Sequence, residues 1–459
     1  MQQPTSQAST LLDELSAFAS SQTAGACSAP VLHYAKRAVL DWLAALYPGT
    51  RCAPALNLVR ACAEEMGHGH SSVVGFATTA FAPTAAWING SASHAVELDD
   101  IYREAVYHPG SPTVAAALAI AESIDASGEA FLAAIVAGYE LSTRVGAALQ
   151  PSHSRFFHAT GTIGCLGAAA SAAVLLRPGD AQVMRHAVAT AATFASGLQQ
   201  ALRSETMTKP LHAGHAAAVG VRAGQAAACG VTGAADILDG PLGLGAAMAN
   251  APAWELATEG LGEKWHITRM THKVHACCGH VFPAIDAALA LRERHAIRIE
   301  DIEALHVATS AAAVEATGRF DPRTPYEAKF SLPYTVCHAL AHGSAGLDAF
   351  EPDRVADRRV RALMTRFSLT EDPDCTAGFP SVRSATLSIT LKDGRKFTHF
   401  APHRRGDPES PVTDAELDAK FDRLATPVIG QARALALRAL VWRLHEVTPR
   451  ALGLERASN

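Results

Sequence analysis

The sequence predicts a mainly α protein, with a large all-helical domain formed by both chain ends and a smaller α+β domain inserted before the tail. Three observations carry this. Apolar residues recur at helical spacing from residue 9 to about 258, broken by Gly, Pro and Asn. Near residue 266 the texture changes to short stretches that alternate apolar with polar. After residue 413 the helical spacing returns. The expected domains are therefore 1–266 with 405–459, and 267–404.

The elements follow in order. Residues 9–21 and 29–47 place Leu11, Leu12, Leu15 and Phe18, then Val31, Leu32, Ala35, Val39 and Leu43, on single helical faces, the second run ending at Pro48-Gly49. Further helices are expected at 53–66, 80–98, 111–125, 128–149, 158–176, 180–197, 212–229 and 243–258. Several are rich in Ala and Gly on more than one face, which permits close approach inside a large bundle. Residues 302–309 and 384–391 read as strands, and Asp393-Gly394 before Lys396–Phe400 as a hairpin return. Helices are expected between them at about 281–296, 325–342 and 353–366, and again at 413–425 and 428–446. Thr413 and Glu416 make a capping box for the first of the last two.

Bulk properties narrow the function classes. At 459 residues the chain exceeds one ordinary core. A content of 49% hydrophobic and 18% charged residues is that of a globular protein. The most membrane-like stretch, Ile163 to Leu176, is too short and too rich in Ala and Gly to span, and reads as a buried helix. The N-terminal residues lack a basic region followed by an apolar one, so a cytoplasmic protein is expected. The nine cysteines form no CxxC and no zinc or iron–sulfur spacing, and reduced, buried thiols are expected. A net charge of −5 without a basic run leaves no footprint for nucleic acid. Histidine is abundant at 21 residues, and lysine is scarce at eight against 31 arginines, which makes a lysine beside Gly or Pro notable.

Four segments concentrate such residues. The first holds Glu97, Asp99, Asp100 and His108; Pro109 keeps His108 out of αR and Gly110 permits a sharp turn. The second places His158 at the start of an Ala/Gly helix. In the third, Lys209 stands before a helix whose first turn carries His212 and His215, a setting suited to a carboxylate or phosphate. The fourth, residues 271–280, holds His272, Lys273, His275, Cys277, Cys278 and His280, in a spacing that matches no zinc pattern.

Taken with their order, these segments resemble the MmgE/PrpD family, which includes 2-methylcitrate dehydratase, cis-aconitate decarboxylase and iminodisuccinate epimerase. INGSASHAVELDD is similar to the family's NGT-x-AHALDFDD, HPGSPTVAAALAIAE to its HPS…V-x-PAALALAE, and KPLHAGHAA to its K-x-LHxGxAA; KVHACCGHVFPAIDAAL, EAKFSLPY and VTDAELDAKFDRLA complete the series. The resemblance implies a homodimeric enzyme without cofactor or metal, taking a small polycarboxylate, with a helical domain and an α+β lid. It implies a site between the domains lined by His108, His158, Lys209, Lys273 and Tyr334. Glu97 stands where the family's first motif aspartate does, and Asp100 where its last does. Asp99, His212, His275 and His280 are further candidates for holding substrate.

Such residues suit one chemistry. Removing a proton α to a carboxylate leaves an enediolate that fixed cations stabilise, a role for Lys209 and Lys273. His108 takes or returns the proton, oriented by an acid such as Asp100, and Tyr334 donates to a leaving hydroxyl or holds a carboxylate. The first expectation is a lyase of the 2-methylcitrate dehydratase type, abstracting the α-proton and eliminating water. An epimerase or decarboxylase on the same scaffold is the close alternative, and a non-catalytic carboxylate-binding protein the alternative of another class. The chain departs from the family pattern at Ile101, in place of a hydroxyl residue, at HPG for HPS, in a longer loop before His108, and at Gly279, where relatives carry Arg in CCRH. Losing that guanidinium removes a bidentate carboxylate contact and shifts the expectation toward a smaller or differently placed acid.

Overall fold

A computed structural model describes residues 10–204 and 206–456. The first nine residues, which the leader reading includes, lie outside the described residues. The chain divides into two compact units, Met1–Met270 with Thr413–Asn459, and Thr271–Val412. The expected boundaries fall four and eight residues early. The Ile267 N–H donates to Glu140 of the helical unit, while Arg404 and Asp407 bind Thr271 of the inserted one.

The helical unit contains α1 (Leu11–Ser20), α2 (Ala29–Gly49), α3 (Ala55–Ala61), α4 (Ala82–His94), α5 (Gly110–Ser123), α6 (Gly128–Ala148), α7 (Ala159–Leu176), α8 (Ala181–Thr193) and α9 (Thr208–Ala228). Their starts are set by local chemistry. Thr10 and Asp13 cap α1 reciprocally, Ser127 accepts the Ala130 N–H at α6, and Asp180 accepts two N–H groups at α8. Helices α4, α5 and α7 are buried nearly all round, so small residues rather than one apolar face set their packing. A Cβ at Gly220 would lie 2.5 Å from the Ala168 carbonyl carbon, so α9 crosses α7 at backbone distance. Helix α7 is long and apolar enough to cross a membrane by composition, and it is a buried core helix here.

The tail helix Asp414–Ile429 packs on α2 and starts from the Thr413/Glu416 capping box. Its Lys420 ammonium lies 2.6 Å from Asp41 Oδ1 and 2.7 Å from the Leu98 carbonyl oxygen, all buried. A short antiparallel hairpin, β1 (Ser71–Val73) and β2 (Thr78–Ala80), interrupts the helices and is absent from the sequence expectation.

The inserted unit is built on a four-stranded sheet in the order β4 (Phe367–Glu371), β3 (Ile302–Thr309), β5 (Ala385–Leu391), β6 (Lys396–Ala401). β3 pairs parallel with β4 and antiparallel with β5, and β5 returns into β6 through Asp393-Gly394. β5 alternates buried and half-buried residues, and the Phe282–His295 helix packs on the sheet. Strand β4 was not expected from the sequence; only Phe367 of it is buried, so it lacks the period-two signal.

Three expected helices are broken. The 243–258 stretch forms only Leu244–Met248 and Glu255–Thr258, because Ala251 has a positive φ and Pro252 follows. The 325–342 stretch stops at Phe330 and restarts under the Ser331 cap, and 353–366 restarts under Asp357. The cysteines are all free thiols, but Cys229 is exposed at the end of α9 and so departs from the expected buried set.

Candidate active site

Helix α4 delivers the first site residue, His94, as its last. Three residues on, Glu97 adopts φ 63°, a left-handed conformation rare outside glycine. That reversal turns the two following acids toward different neighbours. The loop beyond is pinched by paired hydrogen bonds between Tyr102 and Tyr107, so the longer segment closes on itself and releases His108 directly before α5. Ile101 is buried beside this pinch.

Asp99 is the centre. Its Oδ2 lies 2.6 Å from His94 Nδ1 and 3.3 Å from His108 Nδ1, and accepts the Ser111 hydroxyl at 2.9 Å. Burial alone would raise its pKa, but the two imidazoles hold it well below the usual carboxylate range. Asp99 Oδ1 and His94 Nε2 are buried and find no hydrogen-bond partner in the protein, an uncommon and costly condition that marks functional sites.

Asp100 has another task. Its carboxyl accepts the Tyr139 hydroxyl at 2.7 Å and the Gly110 N–H at 2.9 Å, tying α5 to α6. Burial, with the nearby Asp41 charge, raises its pKa to about 7. The expected pairing of His108 with Asp100 is thus corrected: the carboxylate beside the His108 ring, at 3.3 Å, is that of Asp99. The HPG sequence also gains a reason, since a Cβ at Gly110 would stand 2.8 Å from both Asp100 Oδ1 and the Tyr139 hydroxyl.

Lys209 lies inside the first turn of α9 rather than before it, and its ammonium pairs with Glu97. Both are buried, so the strained Glu97 backbone and the charge pair fix each other. His158 is the residue before α7; its Nδ1 lies 3.0 Å from His212 Nδ1, and its ring stacks on His94 with centroids 5.5 Å apart. Burial, then the neighbouring His94, Lys209 and His212, hold His158 far below the ordinary histidine range. Burial and His94 lower His212 to about 4. Both rings are neutral near pH 7.

Within the helical unit the structure therefore brings together His94, Glu97, Asp99, His108, His158, Lys209 and His212. Among the described residues, His94, Asp99 and His108 are the group of three whose ligand-type atoms lie within 4.8 Å of one another. The 2.6 Å from His94 to Asp99 is hydrogen-bond distance, so the trio reads as one carboxylate shared by two imidazoles.

In the inserted unit, Lys273 is buried, and His275 Nε2 is 2.9 Å from Asp286 Oδ1, whose other oxygen accepts the Arg405 N–H. His280 stacks on Phe379, and burial with Arg383 and Arg404 lowers its pKa to about 3. Tyr334 is fully buried and its hydroxyl donates to the Ala349 carbonyl. The donor expected for a leaving hydroxyl is thus engaged by the backbone of its own unit.

The MmgE/PrpD N-terminal domain model matches residues 13–257 and the MmgE/PrpD C-terminal domain model residues 275–446. The chain belongs to the MmgE/PrpD family. It is 27% identical over 432 residues to cis-aconitate decarboxylase of Mus musculus, covering 91% of this chain and 87% of that protein. It is 28% identical to a cis-aconitate decarboxylase-like protein of Aspergillus oryzae, covering 88% of each. A 2-methylcitrate dehydratase-like protein of the same fungus is 29% identical over 161 residues, 32% of each chain. The relatives are named as enzymes. In MmgE/PrpD terms, sequence reasoning missed His94. It stands inside the very motif that supports the resemblance, five residues before Asp99, and a histidine ending a helix ahead of an acid pair is the signal that was available.

Proposed function

We propose that this MmgE/PrpD chain is a lyase that handles a proton at a carbon next to a carboxylate, in a small di- or tricarboxylic acid. The observation that carries the reading is the Asp99 carboxylate shared between His94 and His108, with the Lys209–Glu97 pair packed in the same cluster. Asp99 fixes the imidazoles and stabilises the charged ring formed when His108 accepts a proton. Lys209 supplies fixed positive charge for the enolate-like intermediate in a site largely removed from water.

The bond broken is the carbon–carboxylate bond in the first reading. CO₂ leaves with its carbon, the electron pair stays on the substrate, and protonated His108 delivers one proton to carbon. This route needs a single acid, and His108 is the member of the Asp99 trio that reaches solvent. Likeness over about nine-tenths of the chain to proteins named cis-aconitate decarboxylase favours it. Elimination of water, the first expectation from sequence, is the second reading. The shorter match to a dehydratase-like protein favours it, and it needs a donor other than Tyr334 for the departing hydroxide.

Incubation in D₂O with cis-aconitate, methylcitrate, citrate and iminodisuccinate tests the reading. Decarboxylation releases CO₂ and leaves one solvent deuterium in the product; dehydration gives an absorbing alkene; deuterium in unreacted substrate means epimerisation. No change in any acid counts against the lyase reading, in favour of a carboxylate binder or of an acid outside this set. The chemistry needs neither redox nor metal centre, so turnover is expected to survive exhaustive chelation; loss restored by a divalent ion would make His94, Asp99 and His108 its ligands. Assembly as a homodimer is also proposed, and a stable monomer in sedimentation would overturn it.

A further inference from the structure

The inserted unit gathers positive charge around one half-buried imidazole, that of His280. Burial, then the guanidiniums of Arg383 and Arg404, push its pKa down to about 3. Two cations beside a neutral ring make a field that attracts an anion.

The two arginines are held in different ways. Arg404, fully buried in the loop after β6, donates from Nε to Asp407 Oδ2 at 3.0 Å and from Nη2 to Asp407 Oδ1 at 2.6 Å. Its Nη1 is buried and finds no hydrogen-bond partner in the protein. Arg383 comes from the segment that leads into β5. The Val382 N–H donates to the Gly378 carbonyl at 2.8 Å, the Thr309 hydroxyl to the Ser384 carbonyl at 2.9 Å, and the Ser384 hydroxyl to Cys375 Sγ at 3.2 Å. The backbone on both sides of Arg383 is therefore fixed.

Phe379 sets the side chain. The Arg383 guanidinium stands over the Phe379 ring, 5.5 Å from its centroid, and the same ring stacks on His280 with centroids 5.6 Å apart. A guanidinium held over an aromatic ring is already oriented, so its planar fork loses little freedom when it grips a carboxylate. Gly279, buried next to His280, adds no side chain to this corner.

We propose that Arg383 is a substrate-binding residue that grips one carboxylate of the di- or tricarboxylic acid. His280 and Phe379 are its positioning residues, and Arg404 is a second fixed charge. The guanidinium that Gly279 does not carry is thus supplied by a distant segment. Arg383 takes no part in bond breaking; it selects acids that have a carboxylate beyond the one at the reacting carbon. The inference rests on the carboxylic-acid reading above.

Arg383→Met and Arg383→Lys test it, the second keeping the charge without the fork. In both, KM for the acid turned over should rise by on the order of 10²-fold, with kcat within a few-fold of native. Calorimetry with tricarballylate, a tricarboxylate with neither hydroxyl nor alkene to react, should show the same loss of affinity, while propionate binds native and variant chains alike. Unchanged KM and unchanged tricarballylate affinity in folded variants overturn the proposal. Weaker tricarballylate binding at unchanged KM assigns the place to a separate effector anion and overturns the substrate role. Should the variants not fold, the native chain decides: tricarballylate should shift the ¹³C-imidazole resonance of His280, and no shift overturns the proposal. Should the native chain turn over no acid, the lyase reading fails by itself, and the calorimetry still decides whether Arg383 holds a carboxylate.

Discussion

Two histidine-rich segments, 94–110 in the helical unit and 271–286 in the inserted unit, are alike in sequence and opposite in construction. In the second, each carboxylate gathers donors from distant loops: His275 and the Arg405 N–H with Asp286, Thr271 and Arg404 with Asp407. Such contacts tie loops together. In the first, two imidazoles compete for one carboxylate, whose Oδ1 is, with His94 Nε2, among the buried polar atoms left unmatched. Richness in histidine therefore does not by itself make a site; a buried carboxylate that faces two imidazoles and keeps an unmatched oxygen has binding capacity left over.

The contrast can be broken by substitution. Asp99→Asn or His108→Ala should cost roughly 10²–10⁴-fold in turnover with the fold retained by circular dichroism; near-native rates would erase the distinction between the segments. Lys420→Met removes one partner of a buried pair that also holds the Leu98 carbonyl, and should cost roughly 3–5 kcal/mol of stability in a denaturant titration. Asp100→Asn sharpens the difference between adjacent acids. The folded pKa of Asp100 is raised to about 7 from 3.8, so its contribution to stability is full below about pH 4 and lost as pH rises through about 7. The variant should flatten that fall, and an unchanged pH profile of the melting temperature would count against it. The smallest effect is expected at His275→Gln, about 1 kcal/mol of stability and turnover within a few-fold of native.

Much of this was legible in the sequence. Helix positions, the change of texture near residue 266 and the β5–β6 return follow from periodicity, capping and Asp-Gly chemistry, which are local. The identity of the orienting acid was not. Asp99 and Asp100 differ by one position, and which one meets His108 depends on the left-handed turn at Glu97, stabilised by a lysine 112 residues away. His94 was hidden for a similar reason, since a buried histidine at a helix end looks like packing until its partner is placed. Strand β4 and the hairpin of β1 and β2 are too short for their pattern to rise above the background.

The Lys420 contact has a consequence for how the protein is made. The Leu98 carbonyl that it holds lies next to Asp99, yet the ammonium arrives from residues synthesised more than 300 positions later. A nascent chain can pack most of its helices on the ribosome, but this corner stays unfinished until the tail emerges. Premature termination after the inserted unit would thus release a largely helical product whose acid and histidines are present but unbraced.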